Sequence, residues 1–402
     1  GDDSRRRAVA AGVVSAPLAV AVVARAIEAA RERGLDRVHY LSREGAFLAS
    51  VHEAVAEQLS RGIGDSPRQV HLEVSRRATF GASLDEADIT GLARMWTMYG
   101  SQSMRALLVS IGADADEFAG AARRHGLDLD SVITDIADDE RVQAFLADRA
   151  VTGRLASTLR EARELLVAYL RQQTDVDARQ WVVVDVGWRG SIQDNLAHVL
   201  PKTQLHGVYL GLFPFLNPQP GNCTKEAVGF DGNRGEEYAF AEPPAAVERP
   251  WTPHVPSTIG YTRAMDGRVL VEHAQETRAS ELIDDFQAGV LAGAHVVADF
   301  LATFGFTVCM VRNEVMRELR DYYERPHGGT ADIWFGSEHD DTFGALNVTP
   351  FGKDTPERRW LGKEGEARYA AAAMRSRWEP GFSEWLPVLA LRELRRMIEE
   401  NA

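Results

Sequence analysis

Two stretches of the chain set chemically capable residues just beyond a short apolar run. In the first, Trp181-Val-Val-Val-Asp185 delivers a carboxylate, and Val186-Gly-Trp-Arg-Gly-Ser191 follows it. Gly187 and Gly190 let the backbone approach an anion, and Arg189 adds a cation. Ser191 opens a helix whose free amides and dipole favour a phosphate. In the second, Val38-His-Tyr-Leu is followed by a hydroxyl, a cation, an acid and a glycine at Ser42, Arg43, Glu44 and Gly45. A third basic turn, Ser75-Arg76-Arg77, follows the alternating run Val70, Leu72 and Val74. Each stretch also has a plainer reading. Ser42 and Glu44 suit a helix cap and its first turn, and paired arginines after a strand are commonly solvated charge.

The other candidates are weaker. His71, His206, His254, His273, His327 and His339 are scattered, without the HxH or HxxxH spacing that specifies a metal site. Cys223 and Cys309 lie far apart with no CxxC, which argues against a disulfide framework or a cysteine-built zinc site and suits a reducing cytoplasm. The pairs Asp138-Asp139, Asp284-Asp285 and Asp340-Asp341 read as helix caps or solvated faces. Asp128-Leu-Asp130 and Asp175-Val-Asp177 match a loose DxD, but neither follows a convincing buried strand.

The elements that must position these residues follow from periodicity. Val38 to Ser42 reads as a strand and loop, and Phe47, Leu48, Val51, Val55 and Leu59 as the helix after it. The same order recurs at Trp181 to Asp185, with Ile192, Leu196 and Val199 on the following helix, and Val208 to Phe213 supplies a further buried strand. This predicts an α/β fold, a Rossmann-like parallel sheet with helices on both faces and ligands at the strand C-termini. Leu84 to Gln173 reads as a large helical insertion, with Leu155, Leu159, Ala162, Leu166 and Leu170 on one stripe. Pro214 to Pro256 is irregular, and Ala279 to Phe304 and Arg358 to Ala402 read as helical. The expected organisation is a core of residues 12–83 and 178–270, an insertion of residues 84–177 and a mostly helical C-terminal region of residues 271–402.

Composition bounds the class. The 402 residues are 45% hydrophobic and 26% charged, which is ordinary for a globular protein. A net charge of -14 disfavours nucleic acid or anionic lipid as a general partner, so an anion must be held by local arginines and amides. The apolar stretch Ala8 to Ala24 is too short and alanine-rich for a membrane span. With Pro17 inside it and Val20, Val23 and Ile27 on one face, it reads as a packed amphipathic helix rather than a transmembrane segment. The chain starts at Gly1 rather than methionine, as a piece of a longer polypeptide would.

The loop at Asp185 to Ser191 resembles the sugar-phosphate loop of type I phosphoribosyltransferases, and LSREG resembles their pyrophosphate loop. At the level of pattern, LSREG, SRR and DVGWRGS are similar to the FLSRDG, SRR and DxGWxGS motifs of bacterial polysaccharide-biosynthesis proteins. Those proteins are often joined to glycosyltransferases or haloacid-dehalogenase-type phosphatases, and they include glycan phosphoribosyltransferases. The resemblance covers about residues 12–211 and, more loosely, Glu248 to Tyr261, which would shape the acceptor side.

The resemblance implies a phosphoribosyltransferase-like fold and a pentosyltransferase activity. 5-Phosphoribofuranose would move from phosphoribosyl pyrophosphate to an acceptor glycan of a surface polysaccharide, with inversion and release of pyrophosphate, and a separate phosphatase would then remove the 5-phosphate. Asp185 would hold the ribose hydroxyls, and Gly187, Trp188, Arg189, Gly190 and Ser191 would belong to the 5-phosphate loop. Ser42, Arg43 and Gly45 would contact the pyrophosphate, Glu44 and Asp185 would lie near its Mg2+, and Arg76 and Arg77 would add positive charge. Glu44, Asp231 and Glu248 are the candidate general bases. Val186 stands where many relatives have a second acid, which another acid would have to replace. Two alternatives belong to other classes. A haloacid-dehalogenase-type sugar phosphatase is disfavoured because Gly187 stands where its second aspartate is needed. A non-catalytic sugar-phosphate-binding scaffold is the reading favoured by Val186.

Overall fold

The computed structural model describes residues 2–61, 65–85, 89–237, 245–275, 280–341, 343, 347–350, 378 and 380–382. Its main sheet has five strands: β1 (Arg37–Leu41), β2 (Arg68–Leu72), β3 (Gln180–Asp185), β4 (Gln204–Tyr209) and β5 (Cys223–Ala227). All neighbours are parallel, in the order β2-β1-β3-β4-β5. An antiparallel hairpin of β6 (Thr258–Arg263) and β7 (Val269–His273) lies outside this sheet. The helices that position the site are α1 (Asp2–Glu32), α2 (Ser42–Ser60), α3 (Arg76–Phe80), α4 (Arg149–Gln173), α5 (Ser191–Val199), α6 (Ile283–Phe304), α7 (Val308–Glu324) and α8 (Gly328–Phe335). The α/β parallel architecture expected from the sequence is present.

Alternation along the central strands divides two cores. Val38, Tyr40, Val182 and Val184 face a layer of α1, α2, α6, α7 and α8. Leu41, Trp181 and Val183 face α4, α5 and the β6-β7 hairpin. Strand lengths depart from the apolar pattern in two places. The run expected as a strand at Val208 to Phe213 pairs continuously only as far as Tyr209; beyond it Leu212 makes an isolated parallel bridge with Asp231, and Leu210, Leu212 and Phe213 stay buried. Val74 is likewise buried past the end of β2. The irregular stretch after Pro214 contains β5, whose polar sequence Cys-Thr-Lys-Glu-Ala belongs to an edge strand. Such a strand carries no hydrophobic signature.

α1 corrects the amphipathic expectation. It runs unbroken through Pro17, and from Leu18 to Ala24 every residue is buried, because the helix lies between the sheet and α6. This segment is covered on all sides and is apolar on all sides, whereas Val9, Val13 and Val14 earlier in the helix stay exposed. Close approach of α6 depends on small residues. A Cβ on Gly12 would fall 2.0 Å from the Phe286 carbonyl oxygen, and one on Gly289 would fall 2.1 Å from that of Val9. α1 and α6 are both long and apolar enough to cross a membrane by length and composition alone; in this fold 72% of the apolar window of α1 and 39% of that of α6 is buried inside the protein.

The insertion is mainly helical, with one short antiparallel pair, Gln102–Ser103 with Val132–Ile133. It has its own apolar core, to which Leu92, Leu107, Phe118 and Phe145 contribute. The predicted stripe of α4 splits between two cores. Val151, Leu155 and Leu159 pack into the insertion, whereas Leu166, Tyr169 and Leu170 pack against the sheet. The helix predicted at Ala279 to Phe304 is α6, which packs on α1 rather than standing apart. The expected helix of residues 358–402 lies outside the described residues except at 378 and 380–382.

Candidate functional site

β1 and β3 are neighbours, but the helices that follow them leave for opposite faces: α2 joins α1, and α5 joins α4. In a doubly wound sheet this reversal opens a crevice at the strand C-termini, where ligands bind. The two chemically capable stretches meet there.

At the first corner the chain turns from Leu41 directly into α2 through Ser42, whose φ is 64°. A left-handed serine is strained, and such strain concentrates at functional turns. Ser42 does not cap the helix as the plain reading expected; Leu41 holds the cap position and makes no side-chain cap bond. The Ser42 carbonyl instead accepts from His71 Nε2 at 2.8 Å. Gly45 is required by packing, since a Cβ there would lie 2.8 Å from the Tyr40 carbonyl carbon. Glu44 is buried, and its Oε1 accepts from Thr252 Oγ1 at 2.7 Å.

At the second corner Asp185 ends β3 buried, with Oδ1 accepting the Val186 amide at 2.8 Å. Gly187 passes so near Gly211 that a Cβ would sit 2.7 Å from its carbonyl oxygen. Gly190 caps α5 at φ 67°, and a Cβ there would meet Lys225 Cε and the Tyr209 hydroxyl at 2.7 Å. Lys225 braces this turn by donating to the Arg189 carbonyl at 3.2 Å and to Asp194 Oδ1 at 2.6 Å. The Trp188 ring is core, stacked on Phe230 with centroids 6.0 Å apart, while its Nε1 donates to Glu248 Oε1 at 2.5 Å. Arg189 lies 5.5 Å over the Phe213 ring and donates to the Pro214 carbonyl at 3.3 Å.

Three carboxyl groups from separate segments act on one another through their charges: Glu44 after β1, Asp185 at the end of β3, and Glu248 from the turn Ala245–Glu248. Burial raises the Asp185 carboxyl well above the carboxylate range, and the charges of Glu44 and Glu248 raise it further. Burial, then the charge of Glu44, raises Glu248 to about 7, while the Trp188 bond, Arg76 and Arg43 oppose that rise. Carboxyl groups raised in this way are candidate acids and bases. Arg43 and Arg76 are thus the cations whose charge reaches this cluster. Arg77, beside Arg76 in α3, does not line the adjoining cleft. Asp231 is set apart from the other candidate bases: it caps the turn Gly232–Arg234 by accepting the Asn233 amide at 3.0 Å.

Among the described residues no three His, Cys, Asp or Glu side chains form a metal-holding group. Mg2+ bound through substrate phosphates needs only one or two protein carboxylates. Glu44 and Asp185, which follow β1 and end β3, have the oxygen donors that such an ion takes.

Beside the carboxylates lies a cleft of about 640 Å³, its open mouth included, between the core and the insertion. Arg76, Arg189 and Ser191 line it, together with Arg94 and Tyr99 of the insertion. Arg76 Nη1 donates to the Tyr99 hydroxyl at 3.0 Å. The structure brings together Ser42, Arg43, Glu44, Asp185 and Arg76 near Glu248, and places Arg189 and Ser191 in this cleft. Sequence reasoning missed Thr252, Lys225 and Arg94, each isolated from any recognisable spacing. Comparison with models of known protein families and with curated proteins finds no match to this chain.

Proposed function

We propose that this protein is a glycosyltransferase of phosphoribosyltransferase-like fold that moves 5-phosphoribofuranose from phosphoribosyl pyrophosphate to a hydroxyl of an acceptor glycan. The observation that carries the reading is the convergence of Glu44 and Glu248 on Asp185. The second acid absent at Val186 is replaced from two other segments, at the point where the sheet topology opens a ligand crevice.

Asp185 binds the ribose hydroxyls; its carboxyl, kept protonated by burial and the neighbouring acids, would ionise beside the cation that accompanies the donor and then face the positive charge that develops at C1. Arg43, beside the α2 N-terminus, holds the pyrophosphate, and the Gly187 to Ser191 turn holds the 5-phosphate. Mg2+, bound with the donor, would neutralise the departing pyrophosphate. The C1–oxygen bond to pyrophosphate breaks with its electron pair leaving on pyrophosphate, and the acceptor oxygen bonds to C1 from the opposite face. The acceptor proton passes to a carboxylate. Glu248, with its proton affinity near neutrality and its position fixed by Trp188, is the base this environment favours. The product keeps its 5-phosphate, which a separate phosphatase would remove before assembly into surface polysaccharide.

Asp185→Ala tests the reading. Burying this carboxyl costs stability, which offsets the loss of its bond to the Val186 amide, so the variant should stay folded while transfer falls by about 10²-fold or more. Unchanged turnover would remove Asp185, and the proposal with it.

A further inference from the structure

The crevice is acidic, but the cleft beside it has the opposite character. In a protein of net charge -14, the guanidinium groups of Arg76, Arg94 and Arg189 line one recess. Among the described residues its acid is Asp194, which is ion-paired to Lys225 at 2.6 Å. Arg94 comes from the insertion helix Ile89–Trp96 and reaches back to the core. Its Nη2 donates to Ser83 Oγ at 2.6 Å, its Nη1 contacts Asn195 Oδ1 at 3.5 Å, and its guanidinium lies 5.2 Å over the Phe80 ring. These partners are neutral and orient the cation; burial works against its charge, and the charges of Asp194 and Asp85 support it from beyond ion-pairing distance. Among the described residues no carboxylate lies within ion-pairing distance of it.

The fourth contribution is the start of α5. Ser191 lines the cleft, and Gly190 in the left-handed conformation opens the nine-residue helix there. Phe80, Phe215 and Phe343 form apolar walls, which strengthen charge pairing by excluding water. Planar guanidinium groups arranged around helix amides suit the several oxygens of a dianionic phosphate monoester.

We infer that this cleft is a phosphate-monoester site built jointly by the core and the helical insertion, with Arg94 as the cation that the insertion contributes. Identifying its ligand as the 5-phosphate end of the donor rests on the proposed function. The anion site itself does not. The insertion is then part of the binding machinery, and Arg94 binds the phosphate without touching the reacting carbon.

The test titrates the full chain calorimetrically with inorganic phosphate, with ribose 5-phosphate and with phosphoribosyl pyrophosphate plus Mg2+, comparing the parent with Arg94→Gln. The inference expects the variant to bind ribose 5-phosphate and inorganic phosphate at least about tenfold more weakly. Should Arg94→Gln not fold, Arg94→Lys keeps the charge but loses the planar fork, and about threefold weakening is expected. Equal binding by parent and folded variant, or no binding of any monoester to the parent, overturns the inference. Arg94-dependent binding of both monoesters with no binding of the pyrophosphorylated donor supports the anion site and overturns the donor reading. Donor binding indifferent to Arg94 does the reverse.

Discussion

At the scale of residues, the site is defined by charges placed where the fold makes them costly. Glu248 is the clearest case. Its folded value of about 7 lies above the ordinary 4.5, so between those values the folded protein holds a proton that the unfolded chain has released. Stability must therefore fall as pH rises across this window and stay reduced above it. The charged groups acting on it are Glu44 of α2, Arg76 and Arg43, and Glu248 in turn raises Asp185 of β3. Glu248→Gln keeps an oxygen for Trp188 Nε1 and removes the titration. Melting curves should show the variant more stable than the parent at pH 8 and equal to it near pH 4. A difference independent of pH would contradict this electrostatic picture. Asp185 and the LSREG cluster were legible in the sequence because each directly follows an apolar run. Glu248 was legible only as one guess among three, because what selects it is a bond from Trp188 and proximity to Glu44, neither of which spacing encodes.

At the scale of elements, both corners depend on backbone that side chains would disturb. Gly190→Ala puts a Cβ on a left-handed residue and drives it against Lys225 and Tyr209. The expected cost is about 1–3 kcal/mol, read by chemical denaturation, with weakened phosphate binding because α5 must shift. A variant of parental stability and affinity would show that this turn is not held as described. The strand-loop-helix order of both corners was readable from the change of period from continuous apolar to helical. The edge strand β5 was not, since an edge needs only one partner and tolerates polar residues. The amphipathic reading of α1 fell short at Leu18 to Ala24, where every side is buried, for a related reason. Its burial comes from α6, some 250 or more positions away, and the alanine-rich face that α6 covers looks from sequence alone like an ordinary helical surface.

At the scale of the whole molecule, α4 ties two cores into one body. Leu159 packs in the insertion and Leu170 on the sheet, 11 residues apart on one helix. Each changed to alanine should cost about 2–5 kcal/mol. Because the helix is continuous, both variants should show a single transition by far-ultraviolet circular dichroism. Two separated transitions in Leu159→Ala alone would show that the insertion unfolds independently. The sequence disclosed this stripe, but not its division between cores, which depends on where the insertion folds back. It also gave no sign that Arg94 reaches from the insertion to Ser83 and Asn195 and lines one cleft with Ser191.

The central claim is transfer of phosphoribose, and its most direct measurement is incubation of the full chain with phosphoribosyl pyrophosphate, Mg2+ and a panel of candidate acceptor glycans. Pyrophosphate release and acceptor mass are followed together. The account predicts acceptor-dependent release of pyrophosphate matched one for one by acceptor that has gained a phosphoribosyl group, and lost in Asp185→Ala. Release of inorganic phosphate from a sugar 5-phosphate, with no change in acceptor mass, would contradict it.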